Sequence, residues 1–528
     1  MNSPGLNPDG KISAGDHTTF WFDARPLFKN YPSLTSDHDT DVVIVGAGLA
    51  GLSIAYCLSQ SGKKVIVVED GFPGSGESGR TTAQLVTALE DRYYNMERIF
   101  GEKENQLIAE SHLQAIDFVE RVVEKEKIDC DFERVNGYLF LHQTDKQESL
   151  QKEYESARKC GLDVELMEQV PGVPSEGKCL RFPSQAQFHP LKYMAGLCRC
   201  IEEKGGVIFT LTHATEISDK GVKTENGNFI SAKHVVVATN APVNDKYAMM
   251  LKQWAYRSYV SCFPVLKNAL PRAFWWDTGD QEKEASAYHY VRTAPYNDTH
   301  DLLIVGGEDH IAGKTTDTAV AEPDRYTLLE EWARSRFPVR EVVHRWSGEV
   351  LVPMDTIAFI GRNPWDKDNV YIATGDSGIG MTYCTIAGIL ISDLINGKEN
   401  KWEKLYDPSR FSIKSSAPFF RMLKGDVVEV LKKWFFTGIV ELEEIARGDA
   451  KIVKIDQEKC GAYRDEEGQL HIVSAECTHL KCMVSWNADE KSWDCPCHGS
   501  RFSYTGKVIN GPANTDLPAY SEKGKIKK

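Results

Sequence analysis

The stretch Asp41 to Asp70, DVVIVGAGLAGLSIAYCLSQSGKKVIVVED, constrains the fold more than any other part of the chain. Val42 to Val45 form an unbroken apolar run, the pattern of a parallel strand covered on both faces. Gly46, Gly48 and Gly51 follow in G-x-G-x-x-G spacing. A helical segment from about Leu49 to Ser59 comes next, then a turn at Ser61 and Gly62, then a second strand, Val65 to Val68, closed by Glu69. Gly46 permits a tight turn, Gly48 lets backbone approach a pyrophosphate, and Gly51 lets helix and strand pack closely. The helix N-terminus offers N–H groups to phosphate, and Glu69 can accept from a ribose hydroxyl. Three spaced glycines alone are compatible with a bare structural turn. In register with strand, helix, strand and acid, they predict a dinucleotide-binding unit. Asp70 reads as a solvated neighbour.

Further along, SGRTTAQL occupies Ser78 to Leu85, HVVVATNAP occupies His234 to Pro242, and FIGR occupies Phe359 to Arg362. VYIATGDSGIGMTYCTIAGILISDLI, Val370 to Ile395, reads as a strand, a glycine-rich turn and a long apolar helix whose N-terminus could face a polar group. A helix start without a ligand is the alternative for that turn. Together, over about residues 38 to 400, these segments resemble the D-amino-acid oxidase-like flavoproteins (glycine and sarcosine oxidase relatives). The resemblance implies FAD. Gly46, Gly48, Gly51 and Glu69 would hold its ADP half, Arg80, Thr81, Thr82 and Ala83 its phosphate and flavin region, with Ala238 and Thr239 close by. Gly375, Gly378, Gly380, Met381 and Thr382 would face the isoalloxazine. Position 81 is Thr and no attachment residue stands out, so the expectation is non-covalent FAD. A second G-x-G-x-x-G is missing: IVGGEDHIAG, Ile304 to Gly313, has the wrong spacing. That weighs against a pyridine-nucleotide reductase.

From about Gly137 the pattern turns to short alternating runs, GYLFLH, VIFTL, YVSCFPVL, AYHYVR and DLLIVGG, which read as antiparallel strands. In the resembling family such strands make a substrate sheet over the flavin. Residues 97–127 have helical periodicity and many charges, so a solvated surface helix is expected. Candidate substrate contacts are Tyr288, His289, Tyr290, Arg292, His310, Arg345 and Trp346. Arg292 could clamp a carboxylate bidentately. The plainer readings are a surface ion pair for Arg292 and a satisfied sheet residue for His289. Alternation puts Tyr288 and Tyr290 on one face and His289 on the other.

CTHLKCMVSWNADEKSWDCPCHGS, Cys477 to Ser500, holds four of the thirteen cysteines and two histidines. Cys477-x-His479 and Cys495-x-x-His498 supply two thiolates and two imidazoles, the ligand set of a Rieske [2Fe-2S] cluster. A zinc ribbon favours C-x-x-C twice, which Cys477, Cys482, Cys495 and Cys497 fit badly. Over about residues 437 to 520 the segment resembles the Rieske proteins of cytochrome bc complexes. That resemblance implies a disulfide between Cys482 and Cys497, and a cluster-covering loop at GKVINGPA, Gly506 to Ala513. Ser500 matches a hydroxyl that bonds sulfur in high-potential relatives. Phe502 stands where they carry Tyr, so a lower potential is expected.

The fold expected is an α/β FAD-binding, Rossmann-like domain with an interleaved antiparallel substrate sheet, plus a small all-β Rieske domain. An N-terminal extension takes 1–37. The oxidoreductase takes 38–400, with FAD-binding segments at 38–135, 185–245 and 350–400 and sheet segments at 136–184 and 246–349. A linker helix takes 401–436 and the Rieske domain 437–528. In the linker, Phe420, Leu423, Val427, Val430 and Trp434 fall near one helical face. A docking helix is favoured there over an interfacial membrane anchor, because Asp426 and Glu429 suit a membrane poorly.

The formal net charge of −14 argues against a nucleic-acid partner. No run of 18 apolar residues suggests a membrane span, and the N-terminus lacks signal-peptide features, so a cytoplasmic protein is expected. The function expected is oxidation of an amine or amino acid, electrons leaving singly through the cluster to an acceptor protein or quinone. The alternative is an electron-transfer component serving a partner oxygenase.

Overall fold

The computed structural model describes residues 17–23, 27–244, 249, 252–282, 288–313, 324–364, 366–411, 442–521 and 524–525. The apolar face proposed around Phe420 to Trp434 lies outside the described residues.

Among the described residues, the first sheet has eight strands. Its spine runs Phe359–Arg362, Val370–Thr374, Phe229–Val237, His38–Val45, Val65–Val68 and Val207–Phe209. The last five are mutually parallel. Val42 to Val45 and Val65 to Val68 are buried throughout, because helices cover one face and further chain the other. Each such Val or Ile contributes roughly 1.5–3 kcal/mol by leaving water. Helix Leu49–Gln60 packs against helices Gly380–Ile395 and Pro190–Glu203. Gly388 makes the first contact possible: a Cβ there would lie 2.8 Å from Ser53 Cβ.

The expected surface helix is instead two, Tyr93–Phe100 and Glu102–Glu126. The longer is half core. Ile108, Ala109, Ile116, Val119 and Val122 are buried, while its charges line the other face. Charge count alone hid the apolar stripe.

Among the described residues, the second sheet has nine strands, mostly antiparallel, in the order His344–Pro353, Gln253–Leu266, His300–Ile311, Tyr290–Pro295, Ala273–Asp277, Glu133–Phe140, Cys179–Gln187 and Gln84–Leu85, with Glu165–Met167 beside Cys179–Gln187. Gln84–Leu85, inside the expected cofactor segment, pairs with Gln187 and Ala186 on this sheet. The chain therefore enters the second sheet earlier than the segment boundaries implied.

The C-terminal domain is all β. Strands Ala450–Ile455, Glu458–Arg464, Leu470–Ser474, Ala519–Ser521 and Gly524–Lys525 form one sheet. Ser485–Asn487, Ser492–Asp494, Arg501–Ser503 and Val508–Asn510 form the other. Trp493 is fully buried, and Gly461 makes room for it: a Cβ would sit 2.7 Å from the indole.

This domain sits directly on the larger one. Tyr326 Oη donates to Glu490 at 2.6 Å. Asn510 Nδ2 donates to Glu77 at 3.1 Å. Gly499 abuts Ala255 and Glu349, and Gly313 abuts Pro496. Arg257 and Glu349, both buried, form an ion pair at 3.6 Å beneath Gly499. Arg501 and Asp494, equally buried, pair at 3.0 Å on the Rieske side. Among the described residues, no helix is long and apolar enough to cross a membrane.

Candidate functional site

One cavity of about 2050 Å³ runs along the C-terminal ends of the parallel strands. Its floor is the glycine turn. Gly46 has φ +104°, and a Cβ there would lie 2.4 Å from the Ala238 carbonyl. Gly51 is tighter still, with a Cβ 1.9 Å from the Gly46 carbonyl. Only glycine fits at either place. Glu69 accepts from Ala47 N at 2.6 Å and from Gly71 N at 2.9 Å, which fixes its carboxylate at the end of the second strand. Ser78 Oγ accepts from Leu49 N at 2.9 Å, at the start of the helix.

Of the residues named for the cofactor, Gly46, Gly48, Glu69, Arg80, Thr81, Thr82, Ala238, Thr239, Gly375, Gly378, Gly380 and Met381 line this cavity. Gly51, Ala83 and Thr382 stand behind the wall. Thr382 Oγ1 accepts from Val86 N at 3.2 Å, and Ala83 holds φ 57°. Arg80 is 3 % exposed, and its Nε and Nη2 have no hydrogen-bond partner. Burial pulls its guanidinium down to about 10. Its third nitrogen donates to the His17 carbonyl at 3.3 Å, and Glu77 and Glu490 are the anions that act on the enclosed guanidinium. The strand-ends, the glycine turn and the fixed acid together suit a dinucleotide diphosphate such as FAD.

The second sheet closes the cavity with Tyr288, Tyr290, Trp276, Ser258 and Asp309, facing Glu90. Tyr288 donates to Glu90, and Ser258 and Tyr290 hydroxyls bond at 2.7 Å. Burial raises the Glu90 carboxyl well above its ordinary value, against the Tyr288 hydrogen bond. Burial also pushes Asp309 to about 6 and Asp376 to about 7. Asp309 Oδ1 is buried with no hydrogen-bond partner.

The other expected substrate contacts lie elsewhere. Arg292 donates to the carbonyls of Thr82 at 2.9 Å, Ala83 at 2.8 Å and Phe188 at 3.3 Å, and does not line the cavity. It braces the 80–83 segment from behind. Arg345 pairs with Glu330 at 2.6 Å on the outer side. His289 bridges Asp277 at 2.8 Å and Glu308 at 3.3 Å, stacked on Trp332. Burial opposes its charging, but Asp277 and Glu308 prevail and raise its pKa. His310 is stacked on Tyr259, and burial drops it to about 3. Trp346 is fully buried and donates to the Arg80 carbonyl at 2.7 Å. Tyr288 and Tyr290 share a face and His289 takes the other, as alternation requires. Glu90 and Asp309 carried no motif. Ser78 did, as part of SGRTTAQL.

At the metal centre, two loops face each other. Cys477 N donates to the Cys482 carbonyl at 2.8 Å, and Cys495 N to the Ser500 carbonyl at 2.8 Å. Cys482 and Cys497 are joined by a disulfide across the loops. The sulfurs of Cys482, Cys495 and Cys497 lie within 4.8 Å of one another, but two of them are taken up in that bond. The donors left are Cys477, Cys495 and two imidazoles. The Cys477 and Cys495 sulfurs share a hydrogen bond that pulls Cys477 down to about 7 and pushes Cys495 up. The His479 and His498 rings are 5.0 Å apart, and His498 Nδ1 is buried with no hydrogen-bond partner. Paired thiols on one side and paired imidazoles on the other fit a two-Cys, two-His [2Fe-2S] cluster. Ser500 Oγ accepts from Ala513 N at 3.0 Å, tying the covering loop to the ligand loop. Phe502 is fully buried opposite Trp493.

The model of the FAD dependent oxidoreductase family (DAO) matches residues 41–394. The chain belongs to that family. A Rieske [2Fe-2S] domain model matches residues 435–521, so this is a DAO-family, FAD-dependent enzyme carrying a Rieske domain. It is 33 % identical over 503 residues to the Rieske 2Fe-2S iron-sulfur protein YhfW of Bacillus subtilis, covering 94 % of this chain and 96 % of that one. It is 26 % identical to the gamma-glutamylputrescine oxidoreductase of Escherichia coli, over 79 % of this chain and 95 % of the relative. Among solved structures, glycine oxidase from Geobacillus kaustophilus superposes with a TM-score of 0.57 at 19 % identity, over 71 % of this chain and 99 % of the other. That likeness bears on the fold of the DAO-family portion alone.

Proposed function

We propose that this enzyme oxidises an amine or amino acid and passes the electrons singly, through its Rieske domain, to an external acceptor protein or quinone. The observation that carries the reading is the shared cavity, walled by the glycine turn, the tyrosine and carboxyl face, and the Rieske segment around Asn510. FAD supplies a two-electron acceptor and the [2Fe-2S] cluster a one-electron carrier. We assign the FAD to the cavity-lining residues named above, and the cluster to Cys477, His479, Cys495 and His498.

The chain's own residues do the rest. Tyr288, Tyr290 and Trp276 exclude water. Asp309, ionised above about 6, pairs with the substrate ammonium and takes its proton at the carboxylate. The free amine then faces the flavin position. This wall is rich in carboxyls. Arg92, whose charge acts on Glu90, is turned to the Leu89 and Asp277 carbonyls. An amine without an α-carboxylate therefore fits better than an amino acid. The named relative that acts on gamma-glutamylputrescine is consistent with this. Nine free thiols outside the cluster loops suit a reducing compartment, and we place the protein in the cytoplasm.

The test is anaerobic reduction with an amine panel, wild type against Cys477→Ser, with cytochrome c as acceptor. The reading expects flavin bleaching in both proteins and cytochrome c reduction only in the wild type. Equal cytochrome c reduction by the variant contradicts the exit route. Bleaching by a redox-protein donor but by no amine favours the electron-transfer alternative.

A further inference from the structure

The FAD cavity is not walled by the oxidoreductase domain alone. Lys507, Val508, Asn510, Gly511 and Ala513 of the Rieske domain line the same space as Gly48, Ser78 and Arg80. The two walls are joined by a specific contact. Asn510 Nδ2 donates to Glu77 Oε1 at 3.1 Å, and the other oxygen of Glu77 accepts from Glu349 N at 2.7 Å. The next residue, Ser78, receives the first N–H of the helix after the glycine turn. Asn510 thus stands two residues' reach from the helix N-terminus that attracts a pyrophosphate.

A second observation is independent of that contact. Arg80 lines this cavity as a residue, while its guanidinium is enclosed by protein where the two domains meet. Among the charges that act on it, Glu77 is in its own segment, while Glu490 and Arg501 come from the Rieske domain. The 77–80 segment at the cavity wall is therefore held by charges from both domains.

We propose that Rieske residues 507–513 are the outer wall of the FAD site, closing over its diphosphate, so that the two domains grip one cofactor between them. This rests on the assignment of FAD to the cavity. Binding of FAD and seating of the Rieske domain then reinforce each other by the same factor. Replacing Asn510 should weaken FAD, although Asn510 lies far outside the family's dinucleotide motif.

The test is FAD affinity, read by quenching of flavin fluorescence on titration into the full-length, cluster-loaded, FAD-free protein. Asn510→Ala loses one hydrogen bond to the 77–80 segment and should raise Kd roughly threefold. Asn510→Asp sets a carboxylate against Glu77 and the diphosphate and should raise Kd roughly tenfold or more. Glu467→Gln, on an exposed Rieske hairpin, should leave Kd unchanged. Cluster absorbance identical to wild type shows that the Asn510 variants are folded. Hydrogen exchange should slow at 503–519 when FAD is added. A Kd for Asn510→Asp within twofold of wild type, or exchange at 503–519 indifferent to FAD, overturns the proposal. A wild-type protein that takes up no FAD overturns the cofactor assignment itself, and the proposal with it.

Discussion

Arg292 donates to the main-chain carbonyl of Thr82 at 2.9 Å, and its partners are all carbonyls rather than a carboxylate. It is 2 % exposed and lies behind the cofactor segment. Its removal strands three buried acceptors, each costing about 1–3 kcal/mol. Arg292→Ala should lose several degrees of Tm and much of its FAD, while KM for substrate in the FAD-saturated protein stays close to wild type. A large rise in KM with FAD content intact would restore the carboxylate clamp.

On the proposed function, the acidic wall sets substrate preference. Benzylamine and benzoate, alike in size and opposite in charge, should separate in a flavin difference-spectrum titration. Benzylamine should perturb the spectrum, and Asp309→Asn should weaken it roughly tenfold through loss of the ion pair. Benzoate binding as tightly as benzylamine would contradict the assignment.

Asp309 also predicts a pH profile. Burial raises its carboxyl to about 6, and in the proposed reaction the ionised form is the base. The ratio kcat/KM should therefore rise through about pH 6, and that limb should vanish in Asp309→Asn. The same shift predicts stability in the opposite direction. The folded apoprotein holds protons on Asp309 and Asp376 that the unfolded chain releases near 3.8. Stability from these groups is complete below about pH 4 and is lost as pH rises through 6 to 7. The double variant Asp309→Asn, Asp376→Asn should flatten that part of the Tm against pH curve of the FAD-free protein.

Phe502 faces the cluster domain's core without a hydroxyl. Phe502→Tyr should raise the cluster potential in film voltammetry by adding a hydrogen bond toward sulfur. An unchanged potential, with the cluster spectrum intact, would contradict it.

What was legible in the sequence was local. The strand, glycine turn, helix and strand of residues 41–70 are spelled in order, and the two cluster loops are likewise short and spaced by chemistry. The disulfide came with the Rieske resemblance. The substrate face was not legible, because it is assembled from distant strands. Asp309 meets Ser258 across two strands, and Glu90 reaches Tyr288 from 198 positions away. Arg292 misled for a related reason. An arginine on a sheet looks the same whether it faces a ligand or a row of carbonyls, and only the 80–83 segment decides. The contact between Asn510 and Glu77 joins residues 433 positions apart, and no motif marks it.

The most direct measurement is an anaerobic reductive titration with visible absorbance and EPR recorded on one sample. Two electrons for the flavin and one for the cluster make about three per chain. The account predicts a Rieske EPR signal that grows as the flavin bleaches, with an amine as the reductant. Flavin bleaching without that signal, in protein shown to contain metal, would contradict the paired-centre account and leave a flavoenzyme with a structural appendage.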